Sequence, residues 1–260
     1  MEHRRIATAT LALTLASCAA LDAITEESGA YLGVSERSPT GSGAISDDGL
    51  VVAYDFATYT DDGRLRDFGP FGNHGAVMRT ESTDGPFGTA RVFRDLGDVV
   101  DLPEDSSLSL EGPLTVAIWL QLSTPNLHQH IFSCDDMYVL WTTNSNQYRL
   151  ADTQANGMTT NAETTPIGTW HSVVGVLDAT KGDALSPDNI RIYVDGVPLE
   201  GTIEPTWAPA TLRTDNACQV GAASSGSVAH TQLHFEGVVD ELVVFSRALS
   251  EAEIAAFSRR

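Results

Sequence analysis

Positive charge is what this sequence has least of. Its 260 residues carry 15 lysines and arginines against 35 aspartates and glutamates, a formal net charge of −20. Binding to nucleic acid needs basic groups that displace counterions from phosphates, so that class of partner is excluded. Anionic lipid headgroups would repel the chain for the same reason. The acidity favours solubility and opens the way to cation binding. Cysteine is nearly absent, with three in all. Catalytic signatures are missing too: there is no Gly-x-Ser-x-Gly elbow and no His-Glu-x-x-His pair. The seven histidines are scattered. His128 and His130 are two apart and would share a strand face, but two imidazoles alone make a poor zinc site. Helical periodicity is nearly absent. Hydrophobic residues make up 42%, enough for one substantial core, and sandwiches of roughly 200 residues often form one domain.

The one long apolar stretch lies at the N-terminus. Arg4 and Arg5 precede Ile6 to Ala16, the length of a signal-peptide core and too short for the roughly 20 residues that span a bilayer. The run ends in Leu15-Ala16-Ser17-Cys18, which resembles a bacterial lipobox. That resemblance implies removal of residues 1–17 and dual acylation of Cys18, which anchors firmly where a single chain would not. Contact with the membrane would then be through the lipid alone. Ala19 stands where an inner-membrane retention signal has Asp, which points to the outer membrane in a Gram-negative host. The alternative is an ordinary cleaved signal, ending for example at Ala20 or Ala23, and a periplasmic or secreted protein. Setting Cys18 aside leaves Cys134 and Cys218. In an oxidising compartment this even pair suggests a disulfide, with two buried thiols as the other reading.

Residues 18–47 are poor in large apolar groups and end in Ser38-Pro39-Thr40-Gly41-Ser42-Gly43, a flexible tether. From residue 48 to 260 the pattern is short β-type runs divided by turn residues. The runs are Leu50–Phe56, Ala90–Phe93, Asp98–Leu102, Leu114–Leu120, Gln129–Ser133, Met137–Trp141, Trp170–Leu177, Ile190–Asp195, Cys218–Gly221 and Gly237–Phe245. Asp195-Gly196 is a hairpin-turn signal. Ser250 and Glu253 predict a capping box opening one C-terminal helix, with Ile254 and Phe257 on one face. A two-sheet all-β sandwich is the economical architecture.

Five segments together resemble the concanavalin A-like lectin/glucanase superfamily, in its laminin-G-like jelly-roll branch. They are Gly72-Asn73-His74-Gly75, then Leu114 to Leu120, then Trp170 to Val176, then Ile190 to Val197, and last Phe235 to Leu242 followed by Ser246-Arg247-Ala248-Leu249-Ser250. The resemblance implies an antiparallel jelly roll over residues 48–260. In such a sandwich Trp119, Trp170 and Tyr193 are expected in the inter-sheet core. Trp207, between Pro205 and Pro209, is a candidate to present its ring to a ligand.

Glucanases of this superfamily carry Glu-x-Asp-x-Glu on one strand face, at a carboxylate spacing suited to retaining hydrolysis. No such triplet is present. Asp240 and Glu241 are adjacent, which in a regular strand sends them to opposite faces. The branch often holds one structural calcium, and the resemblance implies Asp67, Asn73 and Asp240 as its oxygen ligands, with Asp55 a further one. The expected function is a non-catalytic recognition module on the cell envelope, binding carbohydrate or an envelope or extracellular protein. This rests on fold-level analogy. A structural lipoprotein making protein–protein contacts, and a divergent glycoside hydrolase or lyase, are the alternatives.

Overall fold

The computed structural model describes residues 39–40, 44–134, 137–152, 156–163, 165–181, 184–204, 218–223 and 233–260. The leader, Cys18 and Trp207 lie outside the described residues. In chain order the strands are β1 (Leu50–Tyr54), β2 (Ala76–Met78), β3 (Glu81–Gly85), β4 (Gly88–Phe93), β5 (Val99–Asp101), β6 (Leu114–Leu122), β7 (Gln129–Cys134), β8 (Tyr138–Thr142), β9 (Tyr148–Ala151), β10 (Gly157–Thr160), β11 (Trp170–Leu177), β12 (Ile190–Val194), β13 (Val197–Leu199), β14 (Gly201–Ile203), β15 (Cys218–Val220) and β16 (Gly237–Phe245). One helix, α1 (Glu251–Ser258), follows.

The strands form two antiparallel eight-stranded sheets. The first runs β13-β12-β11-β6-β16-β4-β3, with β1 also paired to β16; the second runs β14-β10-β9-β8-β7-β15-β5-β2. The expected sandwich is therefore present, and each of the ten β-type runs became a strand. Six further strands were not foreseen. β3, Glu-Ser-Thr-Asp-Gly, is an edge strand without one large apolar side chain. β2, β9, β10, β13 and β14 have only three or four residues each. Pairing with a longer neighbour, rather than composition, makes such segments extended.

Alternation sends aliphatic side chains inward. Leu114, Val116, Ile118, Leu120 and Leu122 of β6 meet Ile131, Phe132, Leu140 and Leu150 of the second sheet in the inter-sheet core. Trp119 and Tyr193 are on the other face, contrary to expectation. They pack with Ala117, Val174, Val243, Phe245, Ile254 and Phe257 in a second apolar layer beneath α1. Trp119 Nε1 donates to the carbonyl of Phe257 at 3.3 Å. Leu114, Val116, Ile118, Leu120 and Leu122 of β6 and Ile190 and Ile192 of β12 take the inward positions, so Trp119 and Tyr193, at the opposite parity of the same strands, fall outside the inter-sheet core. Trp170 shares that outward parity with Val174 and Val176.

The helix begins as predicted. Ser250 Oγ accepts from the Glu253 amide, and the Glu253 carboxylate accepts from the Ser250 amide at 2.9 Å. Arg247 donates to Glu253 and to the carbonyls of Ser46 and Asp48, and Ile45 is buried in the same layer. Asp195 and Gly196, at φ of 51° and 78°, make the β12–β13 hairpin turn, the left-handed pair that such a turn requires. Cys134 and Cys218 are cross-strand partners on β7 and β15 and form the disulfide, 84 residues apart in sequence.

Candidate functional site

The chain leaves β1 at Asp55 and does not return to a sheet until Ala76. This excursion is folded by backbone bonds. Tyr59 bridges Leu65, and Leu65 bridges Gly75. A short turn closes where Gly63 N donates to Thr60 O at 2.9 Å. At its base lies Asp67, buried to 4% exposure. Its Oδ1 accepts from the amides of Ala53 and Gly69, both at 2.8 Å, and its Oδ2 from the amide of Asn73 at 2.8 Å. One carboxylate thus ties the edge of β1 to the Gly69–Asn73 turn. Burial pushes the Asp67 carboxyl up, and the three amides oppose that by favouring its charged form.

Asn73 is equally committed. Its Nδ2 donates to Val51 O at 3.2 Å and to Ser107 Oγ at 3.0 Å, and its carbonyl accepts from Tyr54 Oη. The Asp67 amide donates to His74 Nδ1 at 3.1 Å. That bond needs a lone pair on Nδ1, so the neutral ring carries its proton on Nε2.

Above this base is an open pocket of about 540 Å³, lined by residues that include Tyr59, Thr60, Asp61, Arg66, Phe71 and His74. Two aromatic rings stand exposed in its wall: Tyr59 at 37% and Phe71 at 56%. The Arg91 guanidinium lies over the Tyr59 ring at 5.3 Å and the Arg66 guanidinium over Phe68 at 5.2 Å. The pocket therefore offers apolar ring surface beside a hydroxyl, a carboxylate, a guanidinium and an imidazole. Such a mixture has the chemistry to orient a small polar ligand by hydrogen bonds while covering its apolar faces.

The residues foreseen as calcium ligands fall in three places. Asp67 and Asn73 meet at this turn. Asp55 caps its own loop, accepting from the amides of Ala57 and Thr58 at 2.9 and 2.8 Å. Asp240 lies on β16 with its Oδ2 3.2 Å from the Phe87 amide. A Cβ on Gly85 would come 2.5 Å from that oxygen, so only glycine lets the β3–β4 hairpin approach it. Among the described residues no three His, Cys, Asp or Glu side chains gather as a metal cluster.

Asp240 and Glu241 depart from the regular strand. The register to β6 shifts between Asp240 and Leu242, and Glu241 has φ of 49°. This bulge brings both carboxylates to the helix side. Phe87, which reaches Asp240, packs its ring on Trp119 at 5.1 Å. Glu241 pairs with Arg260, whose guanidinium lies over Phe257. Both carboxylates are buried and engaged in separate bonds.

Neither aromatic of the pocket was singled out in sequence. Tyr59 and Phe71 sit in a run of turn residues with no periodicity, so nothing marked them as displayed. On the outer face of the second sheet His128 and His130 lie together, as their spacing predicts, and Trp141 joins them unforeseen, with ring centres 5.2 to 5.5 Å apart.

The arrangement of the sheets and a sequence match over residues 94–255 decide the family. The chain belongs to the concanavalin A-like lectin/glucanases superfamily. No curated protein matches the chain. Domain 4 of AbnA, a GH43 extracellular arabinanase from Geobacillus stearothermophilus solved with arabinotriose, superposes with a TM-score of 0.58 and 18% identity, covering 82% of this chain and all of that one. A Trypanosoma rangeli sialidase complex gives 0.61 and 17% identity over 84% of this chain and 33% of the sialidase. The binding domain of Paraclostridial Mosquitocidal Protein 1 gives 0.57 and 11%, covering 82% of this chain and 52% of that one. The chain spans about a third of the sialidase's length, and similarity at these identities establishes the fold alone.

Proposed function

We propose that this domain is a non-catalytic recognition module that binds carbohydrate in the pocket between Tyr59 and Phe71, on a protein held at the cell envelope through Cys18. The observation that carries the reading is the pairing of two exposed aromatic rings with hydrogen-bonding groups in one open pocket of about 540 Å³. Sugars present both apolar C–H faces and hydroxyls, and that pairing serves both. Membership of a lectin/glucanase superfamily supports it, as does the arabinotriose seen with the AbnA domain. The Glu-x-Asp-x-Glu triplet is missing, which favours binding over turnover.

A glycan array probed with the purified chain tests the site, with arabinan oligosaccharides included. Phe71→Ala and Tyr59→Ala are each expected to weaken binding about tenfold, the equivalent of about 1.4 kcal/mol. An array that stays silent, while envelope proteins co-purify with the chain, would replace this function with protein–protein contact. Release of the Cys18→Ala protein from the membrane fraction is the expected result for the anchor.

Calcium enters this proposal in a narrower form than the resemblance implies. Asp67 has three of about four carboxylate acceptor positions filled by amides. An ion would sit at the Asp67–Asn73 turn and take backbone oxygens. A melting temperature that calcium raises and EDTA lowers is expected; an unchanged melt removes calcium from the function.

A further inference from the structure

The outer face of the second sheet carries a row of side chains joined by strand register. His130 on β7 lies opposite Trp141 on β8, and Trp141 lies opposite Arg149 on β9. His128 precedes β7 by one residue. The His130 ring is stacked on Trp141, 5.4 Å between centres and 11° between planes. His128 closes the group at 5.2 Å from His130 and 5.5 Å from Trp141. The Arg149 guanidinium covers the indole at 5.4 Å and pairs with Glu204 at 3.3 Å.

Two nitrogens in this group are unaccounted for. His128 Nε2 and His130 Nδ1 are both shielded from water, and neither has a hydrogen-bond partner. His130 is more than nine-tenths buried. A buried polar atom without a partner costs about 1–3 kcal/mol, so two in adjacent rings call for an explanation.

We propose that His128 and His130 form a two-histidine chelate for a late first-row divalent metal ion, with its remaining positions open to water or to a bound ligand. The two residues are i and i+2 at the start of a strand, where alternation places both side chains on one face. The ring separation is the second argument. Metal–nitrogen bonds of about 2.0–2.1 Å put each imidazole centre about 3.2 Å from the ion, and a tetrahedral angle then sets the centres about 5.2 Å apart. The observed separation is 5.2 Å. Among the described residues no third carboxylate, thiolate or imidazole joins the pair. Imidazole suits copper, nickel and zinc; the observed spacing matches the tetrahedral angle of zinc, whereas copper(II), the tightest binder of the series, needs the rings to close to about 4.5 Å for its square-planar angle.

Trp141 supplies a readout of its own. Copper(II) or nickel(II) bound between the histidines lies beside the indole and quenches its emission. Titration of the full chain with copper(II), nickel(II) and zinc(II) salts, followed by calorimetry and by tryptophan fluorescence, is expected to show one saturable site, quenching by the first two ions and recovery with EDTA. Removing one ligand abolishes the chelate advantage, so His128→Ala and His130→Ala each lose affinity by on the order of 100-fold. His74→Ala and His234→Ala, which lie outside the group, keep wild-type affinity. Should His130→Ala fail to fold, His128→Gln at the half-buried strand start carries the test. Titrations without a saturable phase, or quenching that persists unchanged in the His128 variants, overturn the proposal. The outcome is independent of sugar binding, because the glycan test reads Tyr59 and Phe71.

Discussion

The outer faces of the two sheets are built from opposite materials. The first sheet's outer face is a second hydrophobic core. Helix α1 and Ile45 cover it with aliphatic and aromatic side chains. Its charged groups are paired: Arg247 with Glu253, and Arg260 with Glu241. Among the described residues, the second sheet's outer face has Val139, Trp141 and Ala151 as its apolar cluster. Around it stand histidine nitrogens without partners and an arginine over an indole. Its sheet is instead held by a covalent link between β7 and β15. A face whose apolar groups are packed and whose charges are paired gains stability. A face that leaves polar atoms unmet loses stability and retains the capacity to bind.

The largest effect expected from breaking this contrast is on the covalent side. The disulfide closes a loop of 84 residues, and removing such a cross-link costs about 4.5 kcal/mol by chain entropy. Urea unfolding of the Cys134→Ser/Cys218→Ser chain measures it; a loss below about 1 kcal/mol would mean that the second sheet does not depend on the staple. Next comes the ion pair of the first sheet. Glu241 is 1% exposed, and Arg260→Ala takes away its counter-charge. Breaking a buried pair costs about 3–5 kcal/mol, most of which Glu241→Gln in the same chain should restore.

The two faces should also fail at different pH. His130 is pushed down to about 3 in the fold, mainly by burial. Its unfolded value is near 6.5, so the stability it confers is complete above that pH and is lost as the pH falls towards about 3, at up to about 1.4 kcal/mol per unit. Glu253 is held down at about 2, chiefly by its bond to Arg247 and against the cost of burial. Its contribution is complete above about 4.5 and is lost only below that. Acidification from pH 7 to 5 should therefore loosen the second sheet first. Hydrogen-exchange protection factors at β7 and β8, corrected for intrinsic exchange, that stay unchanged over this range would contradict it. The smallest effect is at the solvent boundary. Arg191 and Glu251 pair at 3.3 Å with side chains 38% and 78% exposed, and Arg191→Ala should cost no more than about 0.5 kcal/mol in the same urea assay.

Much of the frame was legible in the residues. Runs such as Leu114–Leu120 and Gly237–Phe245 read directly as strands, because short stretches rich in β-branched and aliphatic residues are bounded by turn residues. The capping box at Ser250 and Glu253, the Asp195-Gly196 turn and the cysteine pair were equally readable, since each is set by a few neighbouring residues or by parity of count. The direction of the large aromatics was not. Trp119 and Tyr193 occupy strands that are apolar on both faces, so no alternation said which face was the core. The adjacency of Asp240 and Glu241 implied opposite faces, and a bulge that only the β6 register reveals reversed that.

The site divides in the same way. Asp67, Asn73 and the Gly72–Gly75 turn were marked by the family resemblance, as calcium ligands, but their use as a hydrogen-bonding hub depends on Val51 and Ala53 arriving beside them. Tyr59 and Phe71 became a pair only when the Leu65 bridges folded the loop. His128, His130, Trp141 and Arg149 come from three strands, and their stacking was set by register. The sequence by itself determined the all-β class, the strand sites and the chemical inventory, because local patterning and charge are properties of the chain. Tertiary structure decided which aromatics are displayed, which carboxylates are silenced by amides and which indole and guanidinium the two histidines meet, because each of those depends on residues far apart in the chain being brought within a few ångströms.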